Sequence, residues 1–116
     1  ELIIMLAFLT DLEPCRRIIN QKSFYGKAKV YVDREKDEVV LKSYDTYVCT
    51  ITSNGEILIS ELYSPTTVKH ICSFLNTYYS NGPHSDKISE GFTYKDVKAL
   101  ADSHMMIFKG AYEHMR

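Results

Sequence analysis

An imidazole close to a thiol is the raw material of a base and its nucleophile, and His70 and Cys72 offer that pair. They stand two residues apart in a stretch with helical spacing. At about 100° per residue their side chains diverge by about 200°, so neither can serve the other. Cys72 falls on the apolar face of that stretch and reads as core, since a reactive thiol needs exposure and a positive neighbourhood. Zinc would require ligands at short spacings. Cys15, Cys49, His70, Cys72, His84, His104 and His114 contain no CxxC and no HxxxH, which leaves only a site assembled from distant positions. The five glycines are scattered, and none forms a phosphate-cradling loop ahead of a helix. The 15 acidic residues declare no facing pair. The expectation is a protein that is not an enzyme, with no catalytic, cofactor-binding or metal-binding residue.

One set of residues points to binding. Lys27, Lys29 and Tyr31 alternate with Ala28, Val30 and Val32 and so face away from them, and Lys42 and Tyr44 can share that outer face, with Tyr47 near it. Cations interleaved with aromatics on a sheet suit single-stranded nucleic acid, through phosphate contacts and base stacking. The plainer reading is a solvated strand face whose lysines guard the sheet against unwanted pairing. It is favoured, because a net charge of -1 supplies no supporting field. Protein partners would use the same tyrosines, with Tyr78 added if its helix face is open, since hot spots favour rigid aromatics.

The elements that position these residues follow from periodicity. Asp11-Leu12-Glu13-Pro14 reads as a helix start, and an apolar face of Leu12, Cys15, Ile18 and Ile19 carries that short helix to about Lys22. From Gly26 the period is two, giving a strand over Ala28 to Val32 and a charged turn from Asp33 to Glu38. Further strands are expected at Val39 to Tyr44, Tyr47 to Thr52 and Glu56 to Leu62. Asn54-Gly55 marks the last hairpin, as a pair that accepts positive φ at both turn positions. Ser64-Pro65 opens a helix with Val68, Ile71, Cys72, Leu75 and Tyr79 on one face. Breakers from Ser80 to His84 end it, and Thr93 with Asp96 starts another. The fold class is therefore α+β: an antiparallel four-stranded meander preceded by a short helix and followed by two helices, at least one packed on the sheet.

Size and composition agree with one domain over residues 1–116. The chain is 45% apolar and 25% charged, as in ordinary globular proteins and unlike disordered ones. Nine tyrosines and five phenylalanines suit either a Tyr-rich sheet or an interface. Three widely spaced cysteines fit a reducing cytoplasm better than a disulfide framework. The apolar run Leu2 to Leu9 is too short for a bilayer span and lacks the flanks of a secretory signal, so no membrane partner is expected.

Three stretches together resemble a known group. They are Lys22 to Val30 with Phe24-Tyr25-Gly26-Lys27-Ala28, Leu41 to Val48 with Ser43-Tyr44-Asp45-Thr46, and Tyr63 to Leu75 with Tyr63-Ser64-Pro65-Thr66-Thr67 and His70-Ile71. Their order and spacing are similar to a family of small uncharacterised proteins from phages and mobile elements of Gram-positive bacteria. The resemblance carries no activity and no catalytic residue. It implies a setting in the host cytoplasm, where small phage accessory proteins often act as stoichiometric inhibitors of host defence. The expected function is such a protein-binding inhibitor, an anti-CRISPR protein directed at an RNA-guided nuclease being the specific form. The alternative is a nucleic-acid binder using the Lys/Tyr sheet face.

Overall fold

The structure is a computed structural model that describes residues 6–12, 26–60 and 65–101. Five strands form one antiparallel sheet in which chain order and spatial order coincide: β1 (Leu6–Asp11), β2 (Ala28–Asp33), β3 (Glu38–Ser43), β4 (Thr46–Ile51) and β5 (Ile57–Ile59). Helix α1 (Pro65–Tyr78) and the single turn α2 (Lys87–Glu90) follow, and residues 94–101 are helical. The α+β meander expected from periodicity is present. It has one strand more than expected, because β1 occupies the end of the apolar run that showed no alternation.

Asp11 is the last residue of β1 and not a helix cap, and Leu12 continues the pairing by donating to the Ala28 carbonyl at 2.8 Å. The remainder of the expected first helix, residues 13–22, lies outside the described residues, as do Leu62 and the Ser64 cap. The second expected strand ends one residue earlier, at Ser43, since Tyr44 turns out of it with φ of 55°.

Each turn has a local cause. Asp33 bends its carboxylate back to accept the amides of Glu35 at 3.1 Å and Lys36 at 3.2 Å, and Asp37 closes that turn at φ of 57°. In the last hairpin Gly55 donates to the Thr52 carbonyl at 2.9 Å and Thr52 donates to the Glu56 carbonyl at 2.9 Å. Only Gly55 has positive φ there, so the loop is a three-residue turn with a bulge, and not the expected two-residue mirror-image turn.

Helix α1 packs on β3 and β4 and buries Val68, Ile71, Phe74 and Leu75 against Val30, Leu41, Cys49, Ile57 and Ile59. Ala28, Tyr79, Phe92, Val97 and Ala101 join the same cluster. Asn76 fixes the chain after α2 by accepting the Phe92 amide at 2.6 Å and donating to the Phe92 carbonyl at 3.1 Å. The Thr93–Asp96 capping box is formed, with the Thr93 amide 2.8 Å from the Asp96 carboxylate and the Asp96 amide 3.3 Å from Thr93 Oγ1. Among the described residues no helix is long and apolar enough to cross a membrane.

Candidate functional site

The sheet face turned away from α1 is built from two cross-strand rows. Register sets Phe8 opposite Tyr31, Tyr31 opposite Val40, Val40 opposite Thr50 and Thr50 opposite Leu58, so one row runs through all five strands. The neighbouring row is Asp11, Lys29, Lys42 and Tyr47.

Tyr47 reaches this face through a bulge. Cys49 and Ile51 point to the core, and strict alternation would send Tyr47 there too. The register shifts between Leu41 and Lys42, however, with Val48 as the extra residue. Val48 and Cys49 then both enter the core, and Tyr47 turns outward beside Lys42. Its phenol is pushed above its ordinary value by burial first and by the Tyr31 hydroxyl second.

Three rings form a chain across the face. Phe8 and Tyr31 meet edge to face at 5.6 Å between centroids, and Tyr31 and Tyr47 do so at 5.7 Å, the arrangement aromatic quadrupoles prefer. Val40 and Leu58 are buried with Leu6, Tyr31 and Tyr47 packed against them. Phe8 stays 55% exposed, while Lys29, Tyr31, Lys42 and Tyr47 are half-buried. Lys42 Nζ stands 5.3 Å from the Tyr47 ring centroid, a cation–π distance.

Of the residues expected on this face, Lys29, Tyr31, Lys42 and Tyr47 come together. Lys27 and Tyr44 do not join them. The left-handed turn at Tyr44 breaks the alternation and swings its ring to 5.7 Å from His70, on the α1 side. Lys27 follows it, with its carbonyl accepting the Tyr44 amide at 2.6 Å and its ammonium 5.9 Å from the Tyr44 ring. His70 is fully buried, and its Nδ1 lies 2.8 Å from Ser43 Oγ. Tyr78 is on α1, half-buried against Phe74 at 5.6 Å, and burial raises its phenol. It belongs to the opposite layer.

Phe8 is the site residue that periodicity missed. It sits in a run apolar at both parities, so period two is invisible there. Its presence on the face depends on a second bulge, at Leu9, between Phe8 and Thr10.

The charges of the face are mixed. Lys29 and Lys42 are directly opposite each other, an unfavourable like-charge pair that an anionic group would relieve. Asp11 is opposite Lys29 on the other side, and Glu38 lies at the far end of β3. Among the described residues no three His, Cys, Asp or Glu side chains gather where they could hold a metal ion. Cys49 and Cys72 are in the reduced form; burial pushes the Cys49 thiol up, and Cys72 donates to the Phe92 carbonyl at 2.8 Å. A pocket of about 180 Å³ opens at His84, Lys87, Phe92 and Asp96. Its two opposite charges are already paired, with Lys87 Nζ 3.2 Å from Asp96.

Residues 12–91 match a family of unknown function, DUF8033. The chain belongs to that family. The DUF8033 match starts at Leu12, so it takes in β2 to β5, α1 and α2 and leaves β1 and residues 94–101 outside. Tyr31, Lys29, Lys42 and Tyr47 therefore lie within the DUF8033 region, and Phe8 and Asp11 lie beyond it. No curated protein and no solved structure matches the chain.

Proposed function

We propose that the protein works by binding another protein through the outer face of its sheet, with Phe8, Tyr31 and Tyr47 as the aromatic centre and Lys29 and Lys42 at one margin. The observation that carries this reading is the ring chain from Phe8 to Tyr47, which ends in a phenylalanine 55% exposed. Rigid aromatics pay little entropy on binding and dominate interface energetics. The resemblance to small phage and mobile-element proteins directs the search to the defence machinery of a bacterial host, where an RNA-guided nuclease is a partner of the expected kind. In that setting the protein acts by stoichiometric blockade in the host cytoplasm, without chemistry of its own.

A second reading, binding of single-stranded nucleic acid, draws on the adjacent Lys29–Lys42 pair and the Lys42–Tyr47 contact. It is weaker. Lys27 and Tyr44 sit elsewhere, and Asp11 and Glu38 share the face with the two remaining lysines. Affinity capture from bacterial lysate, with and without nuclease, separates the two. The proposal predicts a stoichiometric protein partner that survives nuclease treatment. Recovery of nucleic acid alone would reverse the order of the readings.

A further inference from the structure

We propose that the occupant of the outer face is an acidic protein segment, which sets one carboxylate between Lys29 and Lys42 and a large apolar side chain beside it on Phe8 and Tyr31. This deepens the preceding reading and rests on it, since it names the chemistry the partner must bring.

The first support is an unanswered charge. Lys29 and Lys42 are directly opposite each other on β2 and β3, about 5 Å apart at the backbone, and both are half-buried. Among the described residues neither ammonium has a carboxylate within ion-pair distance. Asp11 is opposite Lys29 on β1, but it is exposed and does not bridge to it. Like charges directly opposite weaken a sheet, and one carboxylate held between them converts that repulsion into two attractions. Tyr47 ends the row, and burial keeps its phenol protonated as a further donor.

The second support is spacing. Tyr31 stands two residues along β2 from Lys29, and Val40 two residues along β3 from Lys42. The apolar patch therefore begins about 7 Å from the positive one on the same face. That is the separation of alternate side chains in an extended segment, and close to that of neighbours one turn apart on a helix. One short segment can supply both contacts.

The third support is charge complementarity, which selects a protein acid over a chain of phosphates. Beyond the ring row lie Asp33 and Glu38, directly opposite each other, and toward β1 the lysine row ends at Asp11. A chain of phosphates laid over the rings would meet the first two acids, and one laid across the strands toward β1 would meet the third. Two lysines match a single carboxylate better than a backbone charged at every nucleotide.

A random peptide library displayed on phage and panned against the full chain tests this. Enriched peptides are then resynthesised and titrated into isotope-labelled protein, with amide signals followed by NMR. The expected peptides carry Asp or Glu within one turn of a large apolar residue and shift the signals of Phe8, Lys29, Tyr31, Lys42 and Tyr47. Replacing the acid by its amide should weaken binding by about tenfold, as loss of a partly desolvated charge contact does. Lys42→Glu should weaken it at least as much. The same variant should raise the unfolding midpoint, because it gives Lys29 an opposite charge across the strands. Peptides that shift Phe8 and Tyr31 without needing an acid would overturn this inference and leave the outer-face reading standing. Peptides that shift signals elsewhere, or a library that yields no binder, would count against both. Tighter binding of oligothymidylate at Lys29 and Lys42 would overturn the inference in favour of nucleic acid. If Lys42→Glu fails to fold, the acid-to-amide comparison on the wild type decides alone.

Discussion

The Tyr79 hydroxyl donates to the Gly55 carbonyl at 2.7 Å and accepts the His84 amide at 2.9 Å, tying the β4–β5 hairpin to the loop after α1. The backbones meet there without side chains between them. A Cβ on Gly55 would lie 2.6 Å from Gly82 Cα, and Gly55 is at φ of 81°. Tyr79→Phe keeps the ring and removes both hydrogen bonds, leaving two backbone groups unsatisfied. It should lower stability by about 1–3 kcal/mol. Gly55→Ala should cost more, because it adds a backbone clash to a conformation that alanine resists. Denaturant unfolding of both variants checks the order.

Thr50 Oγ1 is buried beneath the outer face, between Val40 and Leu58, with no hydrogen-bond partner. Thr50→Val has nearly the same shape and removes the orphaned hydroxyl. It should raise stability by about 1 kcal/mol, given the usual cost of an unsatisfied buried polar group. A lower unfolding midpoint would show that the hydroxyl is satisfied in solution.

Asp96 caps the helical run 94–101. Its carboxyl is held below its ordinary value chiefly by the Thr93 amide, with the Thr93 hydroxyl and Lys87 adding to this against a counteracting desolvation. A depressed folded value means stabilisation that is present above the ordinary carboxylate range and lost as pH falls through the depressed value. Asp96→Ala should cost about 1 kcal/mol at neutral pH, the usual worth of a cap. The gap between wild type and variant should close in acid. A gap independent of pH would assign the loss to packing.

Cys49 is buried with its thiol pushed up, and Cys72 is buried and committed to the Phe92 carbonyl. Both should resist a thiol-alkylating reagent in the folded protein and react once it is unfolded. Peptide mapping by mass spectrometry reads this directly, and rapid native labelling of Cys49 would contradict the core described above.

Strand β2 and helix α1 were legible because each carries one clean period between recognisable punctuation, as in Lys27 to Asp33 or Pro65 to Tyr79, and β3 and β4 because turn residues bracket two runs rich in β-branched and aromatic side chains. The Thr93–Asp96 box was legible for the same reason, as a local motif with a local cause. What escaped was set by register. Leu6 to Leu9 is apolar on both parities, so β1 gave no alternation to read. The bulge at Val48 moves Tyr47 to the outer face, and the left-handed turn at Tyr44 takes Tyr44 and Lys27 off it. Bulges and positive-φ turns without glycine leave almost no trace in residue type. Of the six residues expected to share the face, Lys29, Tyr31, Lys42 and Tyr47 come together, Lys27 and Tyr44 leave it, and Phe8, which alternation does not reveal, joins it.

The central claim is that a protein partner docks on the outer face around Phe8, and the variant Phe8→Ser/Lys29→Glu tests it most directly. Phe8 is exposed and Lys29 is half-buried at the margin, so the variant should fold with a near wild-type circular dichroism spectrum. Quantitative affinity capture from nuclease-treated bacterial lysate compares it with wild type at low and moderate salt. The account predicts that wild type retains a stoichiometric protein partner at both salt concentrations, since aromatic burial is not screened as phosphate contacts are, and that the variant loses it. Equal retention by the folded variant would contradict the account.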